Sequence, residues 1–121
     1  MRRAAALALL LVVACRGDQQ RKAREAALSN DLVAMRKAIT DFRAAKGRGP
    51  HSLSELKTAS YLHDIPPDPI TGSRNWRVTT EESVRNDDFV SGAAPKGEPE
   101  VVDVHSRAAG RDANGKLYAE Y

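Results

Sequence analysis

The feature that most constrains this chain is the stretch from Arg21 to Lys46, which contains neither proline nor glycine. Within it Leu28, Leu32, Met35, Ile39 and Phe42 recur at spacings of 4, 3, 4 and 3 residues, the pattern of one face of a helix. Arg24, Asp31, Arg36, Lys37, Asp41 and Arg43 fall off that stripe, and the many alanines favour helix because they lose no side-chain entropy. Gly47 and Gly49 stop the pattern, with Pro50 beyond. At 1.5 Å per residue the helix is roughly 40 Å long. Its apolar face must be covered, and the rest of the domain is the expected cover. A coiled-coil partner is the alternative, although only about two heptads carry the seam.

The remainder reads as short elements. Ser52-Leu-Ser-Glu55 has the form of a capping box and opens a second helix through Ala59, with Leu53, Leu56 and Leu62 facing inward. Pro66, Pro67 and Pro69 exclude helix or central strand, and Thr71-Gly72 marks a turn. Residues 75–82 alternate as a strand, with Trp76, Val78 and Thr80 on one side and Arg77, Thr79 and Glu81 on the other. Residues 83–99 read as a long loop. A second strand follows at 100–106, with Val102 and Val104 set against Asp103 and His105. Asn114-Gly115 is a turn, and a third short strand is expected at Lys116 to Tyr118. The expected fold class is therefore α+β, one long N-terminal helix packed on a small antiparallel sheet.

Composition limits the function classes. Of 121 residues, 41% are hydrophobic and only 5% aromatic, so the core is small and aliphatic, and Trp76 and Tyr61 are expected within it. The formal charge is +3, from 19 Lys+Arg against 16 Asp+Glu; without Arg2 and Arg3 it falls to +1, from 17 against 16. Nucleic-acid binding needs basic residues clustered on one face, and no such footprint is present. One cysteine cannot close an internal disulfide.

That cysteine ends the apolar run of Ala4 to Ala14, which follows Arg2 and Arg3. Eleven apolar residues are far short of the roughly 20 a spanning helix needs, and they match the h-region of a signal peptide. Val12-Val-Ala-Cys15 resembles the lipobox of bacterial lipoproteins: aliphatic residue, small or β-branched residue, small residue, cysteine. The resemblance implies cleavage between Ala14 and Cys15 and a diacylglyceryl thioether on Cys15. Two or three acyl chains hold a protein on a membrane where one does not. The expected layout is a signal peptide at 1–14, a lipidated tether at 15–22 and a domain at 23–121. A cleaved signal with an incidental or buried cysteine is the plainer alternative. The Arg-Gly-Asp triplet at 16–18 is too short a motif to argue adhesion.

Residues 23–121 carry a second likeness. The helix ending in Lys46-Gly-Arg-Gly-Pro50, the connector with Leu53, Leu56, Tyr61, Leu62, Pro66, Asp68, Pro69 and Gly72, the aromatic Trp76, and the ending "VDVHSRAAGRDANGKLY" resemble the periplasmic part of type II secretion pseudopilins. The major, G-type pseudopilin and type IV pilin-like domains are the nearest pattern. The chain departs from that family at its start. A pseudopilin has a prepilin-peptidase site and a long apolar stalk containing a glutamate; here a short apolar run and a lipobox stand instead. The resemblance implies a calcium site in the C-terminal loops, with Asp112, Asn114 and Asp103 as counterparts. Calcium takes oxygen ligands of this kind, but the family's run of several aspartates is absent. An Asx-type turn with solvated side chains is the alternative.

Asp103 and His105 lie two apart on one strand and so share a face, a pairing able to serve base chemistry or metal binding. No nucleophile elbow, zinc-protease motif or phosphate loop accompanies them, and His51 and His63 have no spaced partners. The expectation is a non-enzymatic, lipid-anchored pseudopilin-like structural or accessory protein on the periplasmic side of the bacterial envelope. Its implied partners are the membrane itself and other pseudopilins or secretion-machine components. Arg16 after the cysteine, in place of the aspartate that commonly retains proteobacterial lipoproteins at the inner membrane, leans toward the outer membrane. Two alternatives stand beside it. One is a lipoprotein module binding an extracellular or periplasmic ligand, using the 83–99 loop and an exposed Asp103/His105 face. The other is an unmodified pseudopilin whose true start lies upstream of Met1.

Overall fold

The computed structural model describes the backbone of residues 2–81 and 97–121, and the side chains of residues 16–81 and 97–121. The architecture is α+β. Helix α1 spans Arg2–Lys46, α2 spans Leu53–Thr58, and strands β1 (Arg77–Glu81) and β2 (Glu100–His105) form an antiparallel pair. A single 3-10 turn, Tyr118–Glu120, ends the chain.

The apolar stripe of α1 is buried along its whole length: Leu28, Leu32, Met35, Ile39 and Phe42 are all at most 4% exposed. It packs against Val101 and Val104 of β2, Leu53 and Leu56 of α2, Trp76, Ala108 and Tyr118. The domain itself therefore covers the stripe. Gly47 takes a left-handed φ of 71°, and its N–H bonds back to the Arg43 carbonyl at 3.0 Å, which closes the helix end without a Cβ penalty. Gly49 is needed for a different reason: a Cβ there would lie 3.0 Å from the Glu100 Cβ and 3.1 Å from the Val101 carbonyl oxygen. The helix stop is thus also the place where β2 crosses closest to the chain leaving α1.

Ser52 caps α2 as expected, its Oγ accepting from the Glu55 N–H at 3.3 Å. Glu55 reaches back one residue further than in a standard capping box, to the His51 N–H at 2.7 Å, and also accepts from Arg48 at 2.6 Å. Tyr61 sits half-buried, edge-on to Phe42 at 5.4 Å between ring centroids. Trp76 is 4% exposed and anchors the proline-rich connector by donating its indole N–H to the Pro66 carbonyl at 2.8 Å. Leu62 and Ile65 line the same core, half-buried.

Three expectations about the strands need correction, and the segment expected as a tether has a regular conformation. The segment 16–22, expected as a tether, is helical, since α1 runs through it. It is exposed and polar all round, supported by side-chain pairs one turn apart, Arg21 with Asp18 at 3.2 Å and with Glu25 at 3.8 Å. The strand at 75–82 does not alternate between core and solvent: Trp76 precedes it and β1 is exposed throughout. In β2 the buried valines are Val101 and Val104, with Val102 half-buried. The register explains this. Thr79 faces Asp103 while Thr80 faces Val101, so Val102 is an extra residue, and the bulge shifts the inward phase of the strand by one. The third strand is reduced to one bridge between Arg111 and Leu117, because the chain turns at Asp112 and then winds into the 3-10 turn that buries the Tyr118 ring. The expected loop at 83–99 lies outside the described residues except for 97–99.

Candidate functional site

The polar groups converge where α1, β2 and the C-terminal segment meet. Arg36 lies beside the apolar stripe of α1, so its guanidinium reaches over the edge of the core. It donates through Nε to Asp103 Oδ1 at 2.8 Å, and through Nη2 to the main-chain oxygens of Val104 at 2.9 Å and Tyr121 at 2.6 Å. Asp103 Oδ1 also accepts from the Val104 N–H at 2.8 Å. Burial pushes the Asp103 carboxyl up, but the Val104 N–H and the Arg36 guanidinium together outweigh it and hold the group below its ordinary value.

The expected Asp103–His105 pair does form, with His105 Nε2 3.2 Å from Asp103 Oδ2. The other ring nitrogen faces the Tyr121 main-chain oxygen at 3.3 Å. The pair is half-buried and engaged by Arg36 and Tyr121, so it is not the free polar face the binding-module alternative calls for. The nearest hydroxyl along the strand, Ser106, points the opposite way and is fully buried. No side chain of the cluster is placed as a nucleophile for His105 to activate.

Asp112 organises the C-terminal turn. Its Oδ1 accepts from the Asn114 and Lys116 N–H groups at 2.8 and 2.9 Å, the geometry of an Asx turn. Its Oδ2 accepts from the Tyr121 hydroxyl at 2.6 Å. That hydroxyl, with the main-chain donors behind it, holds the Asp112 carboxyl below its ordinary value, and the same bond pushes the Tyr121 phenol up to about 12. Among the described residues no group of three or more His, Cys, Asp or Glu side chains stands where it could hold a metal ion. Asp103 and Asp112 face separate partners, and Asp112 already receives three donors, so Asp103, Asp112 and Asn114 as arranged do not fit a calcium cage.

Between α1 and this turn lies a shallow groove of about 320 Å³, lined by Ser29, Leu32, Val33, Arg36, Asp112, Lys116 and Tyr121. Lys116 lies over the Tyr121 ring, 5.1 Å from its centroid.

A second cluster is buried and has no catalytic or metal-binding spacing in the sequence to mark it. Asp68 and Ser106 are 3% and 0% exposed, and the Ser106 hydroxyl donates to Asp68 Oδ2. Ser106 Oγ in turn accepts from the Ala108 N–H at 3.0 Å, while Asp68 Oδ1 accepts from the Ile70 N–H at 2.8 Å. This pair joins the connector to the end of β2. The two residues belong to the motifs that carry the pseudopilin likeness, which was the only signal that could have paired them. Cys15 and Ala14 fall within α1, and their side chains lie outside the described set. No helix among the described residues is long and apolar enough to cross a membrane. Comparison with protein-family models, with curated proteins and with solved structures found no match.

Proposed function

We propose that this chain is a lipid-anchored, non-enzymatic pilin-like protein, serving a structural or accessory role in a secretion or pilus-type assembly of the bacterial envelope. The observation that carries this is the Ala4–Ala14 apolar run ending at Cys15, set directly at the head of the helix that leads an α+β domain. A diacylglyceryl thioether on Cys15 would do the membrane-holding that an apolar stalk does in a filament subunit. The polar half of α1 would then set the domain back from the membrane surface by about 20 Å, thirteen residues from Cys15 to Leu28 at 1.5 Å each.

Support for the pilin-like part comes from the meeting of its two motifs. The connector supplies Asp68 and the strand end supplies Ser106, and the two bond to each other in the core. Support for a structural role comes from the polar seam, in which Arg36 ties β2 to Tyr121 and Tyr121 ties on to Asp112. Calcium has no part in the proposal, since the carboxylates do not converge.

The test is metabolic labelling with palmitate followed by intact mass of the detergent-extracted protein. The expected result is a labelled species whose first residue is Cys15, with label lost in Cys15→Ser. Label that survives in Cys15→Ser, or an unacylated mature protein, overturns the anchor. Fractionation of the envelope is expected to place the labelled protein with the outer membrane. Co-purification with secretion or pilus components from solubilised envelopes tests the role itself, and extraction with none of them counts against it.

A further inference from the structure

Strand β1 has only β2 as a partner among the described residues, and all five of its residues are exposed. Among the described residues nothing pairs with its outer edge, which there presents main-chain donors and acceptors, a surface folded proteins either protect or use. The strand reads Arg77-Val-Thr-Thr-Glu81, with β-branched residues throughout its centre and opposite charges at its two ends. The bulge in the sheet lies in β2, so β1 itself keeps a regular register.

We propose that this edge pairs two copies of the chain, β1 running antiparallel to β1 of the second copy about a two-fold axis through Thr79. In that register Arg77 lies opposite Glu81 of the second copy, Val78 opposite Thr80, and Thr79 opposite itself. Arg77, Thr79 and Glu81 share one face, so both Arg–Glu pairs and the central Thr–Thr pair form on the same side. A parallel arrangement would set Arg77 beside Arg77 and Glu81 beside Glu81. A slip by two residues would lose both ion pairs. The sequence is therefore self-complementary in one arrangement, as an isologous contact requires. Arg77 is available for it: its Nη2 donates to the Ala119 carbonyl at 2.9 Å, and its Nε and Nη1 have no acceptor among the described residues. A contact of five residues per copy is weak, with exposed ion pairs that specify register more than they add affinity.

The contact does not rest on the lipid anchor, and the test removes the anchor so that the two stand or fall separately. In the full chain carrying Cys15→Ser, Thr79→Cys places one thiol opposite its own copy at a spacing a disulfide can bridge. Mild oxidation is expected to give a disulfide-linked dimer far faster than in the matching Thr80→Cys protein, whose cross-axis neighbour is Val78. In sedimentation experiments Arg77→Glu and Glu81→Arg each weaken dimerisation about tenfold, as lost and reversed surface charge pairs do. The double swap, which rebuilds both pairs with the signs exchanged, restores it. Equal cross-linking at positions 79 and 80, a double swap no better than the single variants, or a monomer up to millimolar concentration overturns the proposal.

Discussion

Strands β1 and β2 are hydrogen-bonded neighbours, yet they belong to different parts of the molecule. Val104 is fully buried beneath α1, while Val78, directly opposite it in the register, is 38% exposed. Both are valines in extended backbone, and nothing local separates them. The difference lies in what each strand packs on: β2 lies along the apolar stripe of α1, and β1 hangs from its outer edge. The bulge at Val102 strengthens the contrast, since it turns Val101 and Val104 inward together and leaves Asp103 to meet Arg36. A two-stranded ribbon is marginal by itself, so β1 is held in place by a strand that is itself held by the helix.

The comparison can be broken hardest at the helix. Leu32→Ala removes a side chain 1% exposed and is expected to destabilise the domain by about 2–5 kcal/mol, as core truncations do; denaturant unfolding measures it. Ser106→Ala should lower stability by about 1–3 kcal/mol in the same experiment, because it strips a donor from the buried Asp68 carboxylate. A loss within about 0.5 kcal/mol, the level of a surface change, would mean that Asp68 finds another donor.

The sharpest form of the contrast is one substitution made on each side of one cross-strand pair. Val104→Thr puts a hydroxyl into the core and should cost about 1–3 kcal/mol, whereas Val78→Thr should stay within about 0.5 kcal/mol. Equal effects would show that β1 and β2 are not divided as described.

The smallest effect is a pH dependence at the C-terminal turn. Tyr121 donates to Asp112, and its phenol is raised from 10.0 to about 12. A raised value means that the bond contributes its full stability below pH 10.0 and loses it as pH rises through about 12. Asp112 is lowered, so its contribution is present above the ordinary carboxylate value and lost as pH falls through the folded one. The melting temperature of the parent chain relative to Tyr121→Phe should therefore narrow at both extremes, more clearly on the alkaline side. A constant difference from about pH 2 to about pH 12 would remove the Asp112 bond as its cause.

Much of the framework could be read directly from the residues. The 4-3-4-3 stripe, the glycine stop and the capping serine are local signals, and local backbone physics realises them wherever the chain goes. The polar cluster was half legible. Asp103 and His105 declare themselves by spacing, but Arg36 looks like any charge on an outward helix face. It becomes the centre of the seam only because β2 and Tyr121 arrive beside it. The helical conformation of segment 16–22 was not legible at all. The segment has no apolar stripe to announce a helix, and it is carried as one by its continuity with the core half of α1 and by its i,i+3 and i,i+4 pairs.

By itself, then, the order of residues determined the long amphipathic helix, its end at Gly47, the short capped helix, the break in the proline connector, and the position of the lone thiol at the close of an apolar run. These follow from periodicity, backbone freedom and side-chain capping over a few neighbouring residues. The tertiary structure alone decided which valines of β2 face inward, that Asp68 and Ser106 meet, that Arg36 binds Tyr121, and that β1 has only β2 beside it among the described residues. Each of these depends on contacts between residues tens of positions apart, and a strand's phase or a charge's partner is set by the surface it lands on.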